Sequence, residues 1–422
     1  MENPDMADVL SRIRRNFEPI SRNGGIRVLI ILPDMEVGGG QIAAIRLANA
    51  MAIDNTVFLV NARPDRYDSS LEETVDSRVL FLEGTLGPSS WATDREQGAP
   101  THNNLAEGQA RLSVLINLAK FHQIEIIHTH VWWADRLGYH LCKALKIPWV
   151  IHMHGCYENL LNTPKGDPQF SKLLAPMMQT VAGVIYGSTR NLELFERYPE
   201  LKLAKLVKIF NGFDASQVDD TKLRESPKQK GIMKFCLCSR AIPEKGWEQA
   251  INTVLNINRL HEEDRGNRKA HLVLIGGGSF ADSLRDRFNS EDCVEFHGQM
   301  TQPVKVIQDC DVGLLPSYFI SETVPSTVIE YLACGLPVIA TDVGSIPEML
   351  RVGNIEAGLI LPLSPHRTID VDKLTSLLLR YMINQELFNL HRKNSQKVFE
   401  SLFDMNKIRH DTIVLYKSLT FC

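Results

Sequence analysis

Long apolar runs, paired cysteines and an excess of basic charge are all missing from this 422-residue chain, and each absence removes a class of function. No apolar stretch approaches the ~18 residues that a membrane-crossing helix needs. Acids and arginines occupy the first residues where a secretion signal needs an apolar block, so a cytoplasmic protein is expected. The net charge of -4 has the wrong sign for a nucleic-acid binder, which shows a basic balance or stripe. Eight cysteines are scattered, and the nearest pair, Cys236 and Cys238, has one residue between its members. That is neither the C-x-x-C of a redox site nor half a zinc site. Residues two apart on a strand share a face, so the pair reads as buried strand packing with reduced thiols. No D-x-D stands in a strand-end loop, Asp370 and Asp372 lying past the last strand, so neither a metal nor a cofactor is expected.

What is present is a large soluble α/β chain. With 44% apolar and 23% charged residues, it has the composition and the length for two domains of roughly 200 residues. Short apolar runs alternate with helical patterns: "RVLIIL" (27–32), "TVFLV" (56–60), "VLFL" (79–82), "IEIIHTH" (124–130), "WVIHMHG" (149–155), "GVIYGS" (183–188) and "LVKIFNG" (206–212). The polar stretch 213–231 interrupts the series. It restarts with "KFCLCS" (234–239), "HLVLIGG" (271–277), "VEFHG" (294–298), "VGLLPS" (312–317), "PVIAT" (337–341) and "GLILP" (358–362), and a helical tail follows. Alternation of this kind predicts parallel sheets with helices on both faces. We expect two Rossmann-like domains, 1–212 and 213–400, with 401–422 a helix returning to the first. Two irregular segments, 83–104 and 156–169, read as functional loops. Between residues 6 and 20, Met6, Val9, Leu10, Ile13, Phe17 and Ile20 fall on one helical face beside arginines. Packing on its own domain is the plainer reading of that face, and peripheral membrane contact the alternative.

Gly38, Gly40 and Ala43 satisfy the G-x-G-x-x-A dinucleotide pattern, but "PDMEV" separates them from the strand and the acid expected after the next strand is Asn61. A dehydrogenase is therefore set aside, and bare backbone at a helix start remains as a seat for an anion.

The second half carries a sharper constellation. In "SETVPSTVIEYLACG" (321–335), Pro325 suits a first helical turn, capped by Thr323 or Ser321, and Gly335 with Pro337 ends the helix. Glu322 then sits in the loop at the positive helix end, and Glu330 lies about 8 Å along the helix at ~1.5 Å per residue. Two carboxylates so spaced suit the hydroxyls of an elongated ligand such as a nucleotide sugar. Arg240 and Lys245 in "SRAIPEKGW" leave the carboxyl end of a strand, where cations can neutralise a diphosphate without a metal. "IGGGS" (275–279) adds a glycine turn around Gly277 at the same edge.

In order and spacing, "SRAIPEKGWEQAI", "LIGGGS", "VEFHGQM" and "SETVPSTVIEYLACGLPVIATDVGSIPEML" resemble the C-terminal domain of a family-four retaining glycosyltransferase with the GT-B fold. "GGG", "IIHTH", "HMHG", "VIYGS" and "IFNGFD" resemble that family's N-terminal stations more weakly, and the likeness covers roughly residues 26–400. The resemblance implies two Rossmann-like domains facing across a cleft. It also implies transfer of a sugar from a UDP- or GDP-linked donor to a glycan, lipid-linked or small-molecule acceptor. Arg240 and Lys245 match the diphosphate pair, Glu330 the ribose carboxylate, and Glu322 the carboxylate near the donor sugar. The backbone at Phe296 and His297 matches the stretch along the base, and Gly39 and Gly40 match the phosphate loop. His154 matches a histidine at the reaction centre. Thr323 and Val324 depart from the family's Gly-Phe or Ser-Phe before Pro325, which bears on donor identity.

Plainer readings stand beside these. Glu322 is also placed as a helix cap, and His154 competes with His128, His130 and His152. Trp132 and Trp133 suit stacking on a sugar acceptor or core packing. Asp34 and Glu36 read as solvated loop acids. A silent nucleotide-sugar-binding partner subunit and a sugar phosphorylase are the functional alternatives.

Overall fold

The computed structural model describes residues 25–63, 66–82, 102–157, 168–199, 201, 205–219, 231–262 and 269–420. At 102–111, 168–171 and 261–262 only the backbone is described. The amphipathic stretch 6–20 and the residues 83–101 and 158–167 of the irregular segments lie outside these. No helix among the described residues is long and apolar enough to cross a membrane.

The chain divides into two compact units, one of residues up to Ile209 and from Ile408 onward, the other Phe210–Lys407. The first holds a seven-stranded parallel sheet of β1 (Arg27–Leu32), β2 (Thr56–Asn61), β3 (Leu80–Phe81), β4 (Ile126–His130), β5 (Trp149–Met153), β6 (Gly183–Tyr186) and β7 (Leu206–Lys208). Its order is β3-β2-β1-β4-β5-β6-β7. The second holds β8 (Ile232–Cys238), β9 (Lys269–Ile275), β10 (Val294–Gly298), β11 (Val312–Leu315), β12 (Val338–Thr341) and β15 (Gly358–Leu361) in the order β10-β9-β8-β11-β12-β15. Both orders reverse beside their first strand, at β1/β4 and β8/β11, the switch points where open α/β sheets bind ligands.

Burial on both faces explains why the strands read as unbroken apolar runs: Val28 through Leu32 are at most 2% exposed. One element escaped the sequence reading, the hairpin β13 (Arg351–Val352) and β14 (Ile355–Glu356). Its strands are only two residues long, although Gly353-Asn354 is a two-residue hairpin signal and Gly353 has φ +57°. The helix Met405–Thr420 places Tyr416 in the first unit's core, its Oη 2.5 Å from His128 Nδ1.

One buried cluster fixes the ends of β4 and β5. Asp135, on the helix Trp132–Leu145, accepts from Thr129 Oγ1 at 2.6 Å and from the Tyr157 hydroxyl. Trp149 Nε1 donates to the same Thr129 hydroxyl at 3.0 Å. The helix approaches so closely that a Cβ on Gly138 would stand 2.5 Å from Thr129 Cγ2. Burial pushes the Asp135 carboxyl up to about 7, against the two donors that pull it down. Because this lies above the ordinary value near 3.9, protonation favours the fold. The contribution is full below about pH 4 and declines until about pH 7. Asp135→Asn removes that decline, so the variant's urea midpoint should gain on wild type between about pH 4 and 7. Parallel midpoints across that window would show a carboxylate that stays charged in the fold.

Candidate active site

In the first unit the carboxyl ends of β1, β4 and β5 bring Gly40, Val131 and His154 together. The helix Gly39–Met51 starts directly after Gly38, with no acidic side chain in its first turn. A Cβ on Gly40 would lie 2.7 Å from Val131 Cγ2 and 3.4 Å from His154 Cγ, so only glycine fits. Val131 has φ +67° and ψ 139°, an outlier for a β-branched residue. Backbone strain held at the carboxyl ends of strands beside a switch point is a functional signature. His154 Nε2 lies 2.8 Å from His130 Nδ1. Burial lowers the His154 imidazole to about 4, so it is neutral at pH 7. Burial also lowers His128 to about 3 and holds His130 and His152 well below the usual range.

Asp34 is not the solvated acid the sequence suggested. It is 3% exposed, pairs with the buried Arg63 guanidinium, and accepts from the Gln41 amide of the glycine-led helix. Glu36 does face solvent, 3.6 Å from Arg66. Arg63 in turn lies 4.8 Å over the Trp133 ring. Trp132 and Trp133 stack at 4.0 Å at the helix start, Trp132 packing on the core.

In the second unit Lys245 and Glu322, 8% and 7% exposed, form a direct ion pair. Ser317 Oγ donates to the same Glu322 oxygen at 3.0 Å. Phe319 lies under both cations, 5.3 Å from Lys245 Nζ and 5.6 Å from Arg240 Cζ. Neither Ser317 nor Phe319 was singled out from sequence; the only signal was their place directly after a buried strand. The turn carrying Lys245 ends at Gly246, with φ +75°, where a Cβ would strike the Pro316 carbonyl oxygen at 2.1 Å. The Arg240 end is fixed by Trp247, whose Nε1 donates to Ser239 Oγ at 2.9 Å.

The helix Ser326–Ala333 starts after Pro325, which is itself the N-cap and has no side-chain acceptor. Pro325 thus takes the N-cap position expected of Thr323 or Ser321, and Glu322 is engaged by Lys245. Glu330 is buried on that helix at 5% exposure. Thr323 O accepts from Ser345 N at 2.9 Å, and Gly344 packs against the Glu322 and Thr323 carbonyls. Gly276, Gly277 and Gly278 lead into the helix Ser279–Arg287. Phe296 and His297 sit on edge strand β10, against Arg285 at 5.5 Å and Glu295 at 2.8 Å respectively. The strand register shifts between Phe296 and Gly298, a bulge of the kind that re-aims backbone.

Substitutions in each unit test this geometry. Glu322→Ala strands a buried ammonium and should lower the unfolding free energy by about 3–5 kcal/mol. Lys245→Met with Glu322→Leu should recover most of it; denaturant titration that finds Glu322→Ala as stable as wild type removes the buried pair. Val131→Gly relieves about 1–3 kcal/mol of backbone strain, so its melting temperature should rise while turnover falls. A lower melting temperature would show that the valine side chain, not its backbone, governs this corner.

Comparison with known proteins agrees with this arrangement. The family model described as Glycosyltransferase Family 4 matches residues 37–217, and that described as Glycosyl transferases group 1 matches 234–380. The chain is 29% identical over 244 residues to the alpha-monoglucosyldiacylglycerol synthase of Streptococcus pneumoniae, a match covering 54% of this chain and 54%, about half, of that protein. It is 23% identical to the D-inositol 3-phosphate glycosyltransferase of Corynebacterium aurimucosum over 77% of this chain and 79% of that one. The structure of Anabaena HepE in complex with UDP superposes with a TM-score of 0.69 at 16% identity, covering 93% of this chain and 100% of the other. The same protein with UDP-glucose gives 0.67 at 17% identity, with the same coverage. The two sheets, their order, the motifs and these likenesses agree: the chain is a GT-B glycosyltransferase and belongs to glycosyltransferase family 4.

Proposed function

We propose that the protein transfers a hexose from a UDP-sugar, UDP-glucose being the first candidate, to an acceptor hydroxyl with retention at the anomeric carbon. The observation that carries this reading is the buried Lys245–Glu322 pair beside Arg240 at the carboxyl end of β8 and β11. The UDP and UDP-glucose in the HepE structures support the choice of base and sugar, and the family resemblance supports retention.

In this reading the diphosphate lies on Arg240 and Lys245. Its arrival gives Lys245 a second anion, which loosens Glu322 from the ammonium and frees its oxygens for donor-sugar hydroxyls. Glu330 accepts from the ribose hydroxyls, and the backbone at Phe296 and His297 follows the base beside Gly277. Thr323, Val324 and Pro325 offer backbone to the sugar. Gly39 and Gly40 present bare helix-start backbone to the phosphates, and neutral His154 hydrogen-bonds the sugar. As the glycosidic bond breaks, charge grows on the leaving phosphate and is stabilised by the guanidinium and the ammonium. That phosphate takes the acceptor proton on the same face, so no metal is needed for the step. Trp132 and Trp133 offer stacked aromatic surface to the acceptor. The two relatives' names divide between a diacylglycerol lipid and a phosphorylated inositol, so both acceptor classes enter the assay.

Calorimetry without metal should show UDP binding at least about tenfold tighter than GDP, equivalent to ~1.4 kcal/mol. Glu330→Ala should abolish it. Proton NMR of the product from UDP-glucose should give an α linkage. A β-linked product overturns retention, and tighter GDP binding overturns the donor.

A further inference from the structure

Behind His154, three histidines share one face of the first unit's sheet. His128 and His130 are two apart on β4, and His152 lies opposite His130 on β5. All three therefore point to the same side. They are 0%, 0% and 4% exposed, and one ring nitrogen of each lies within 4.8 Å of one from each of the others. His128 Nε2, His130 Nε2 and His152 Nδ1 are buried without a hydrogen-bond partner. Ring packing, one pair stacked and two tilted by 39°, with centroids 4.3–5.6 Å apart, accounts for their closeness. It does not account for three orphaned polar atoms in one place, each costly to bury.

We infer that His128, His130 and His152 bind a divalent transition-metal ion of the nitrogen-preferring class, for which Zn²⁺ is the natural probe. Imidazole suits zinc, copper and nickel over the oxygen-seeking cations. A tetrahedral ion with bonds of about 2.0–2.1 Å draws its nitrogens to roughly 3.4 Å, which ring rotation supplies. A fourth position stays open for water or hydroxide, and hydroxide offsets one unit of charge. Two of the three remaining nitrogens already have partners of the kind metal-bound histidines use. His128 Nδ1 meets Tyr416 Oη at 2.5 Å, and His130 Nδ1 meets His154 Nε2 at 2.8 Å. With the ion on His130 Nε2, the proton sits on Nδ1 and is donated to His154. The tautomer of His154 is then fixed with its own proton on Nδ1. The ion acts as a positioning device behind His154, and the inference does not depend on the donor or acceptor proposed above.

The experiment uses the full chain. Metal content is measured as purified by mass spectrometry, and chelator-stripped protein is titrated with Zn²⁺ alone by calorimetry and with Co²⁺ by visible absorption. One equivalent should bind, with the intense visible bands of tetrahedral cobalt. His152→Gln should weaken binding by at least about 100-fold, and Tyr416→Phe by about 10-fold or more. His130→Asn is read in place of His152→Gln if circular dichroism shows that variant unfolded. Absence of metal both as purified and on titration overturns the inference. So does an equivalent bound equally well by the folded histidine variant.

Discussion

Parallel strands buried on both faces leave almost no place for polar side chains along their length, and that constraint organises both units. Polar chemistry is driven to the strand ends, where backbone amides and loops meet water. At the switch points β1/β4 and β8/β11 the connections leave in opposite directions, which opens room for a ligand. Gly40, Val131 and His154 occupy that position in one unit. Arg240, Lys245, Ser317 and Glu322 occupy it in the other. Against this rule the histidines inside β4 and β5 stand out, because they place three imidazoles in strands whose other buried positions are mostly apolar.

The buried cation–carboxylate pair explains how two charges persist at this depth. Two isolated ions at this depth would each carry a desolvation penalty of several kcal/mol. Lys245 and Glu322 offset each other, with Ser317 adding a hydrogen bond to the carboxylate. Under the proposed function, an arriving diphosphate exchanges one partner for another and does not meet a bare charge. The Phe319 ring beneath both cations limits their hydration and keeps them close to the surface they serve.

All thirteen apolar runs read as strands from sequence appear as strands, because a doubly covered parallel sheet writes itself as uninterrupted Val, Ile and Leu. The E-x7-E helix and the Arg240–Lys245 loop were legible for a related reason: charge in an apolar neighbourhood needs a cause. What sequence did not reveal depended on contacts between distant positions. Asp34 looks like any loop acid until Arg63 and Gln41 are placed around it. Ser317 and Phe319 acquire meaning only once the loop after β8 brings Arg240 and Lys245 beside them and Glu322. Pro325 stands as the cap, while Glu322, three residues before it, is held by Lys245, 77 positions earlier.

Gly344 fixes one further property of the site. With φ +62° and no room for a Cβ, it lies against the carbonyls of Glu322 and Thr323, while Ser345 N holds Thr323 O from the same side. The path of the Glu322 loop is thus set by main-chain atoms, whatever side chains residues 323 and 324 carry. Thr323 and Val324 occupy the positions where this chain departs from the family pattern, so the departure falls on a stretch whose course is held from outside by Gly344 and Ser345.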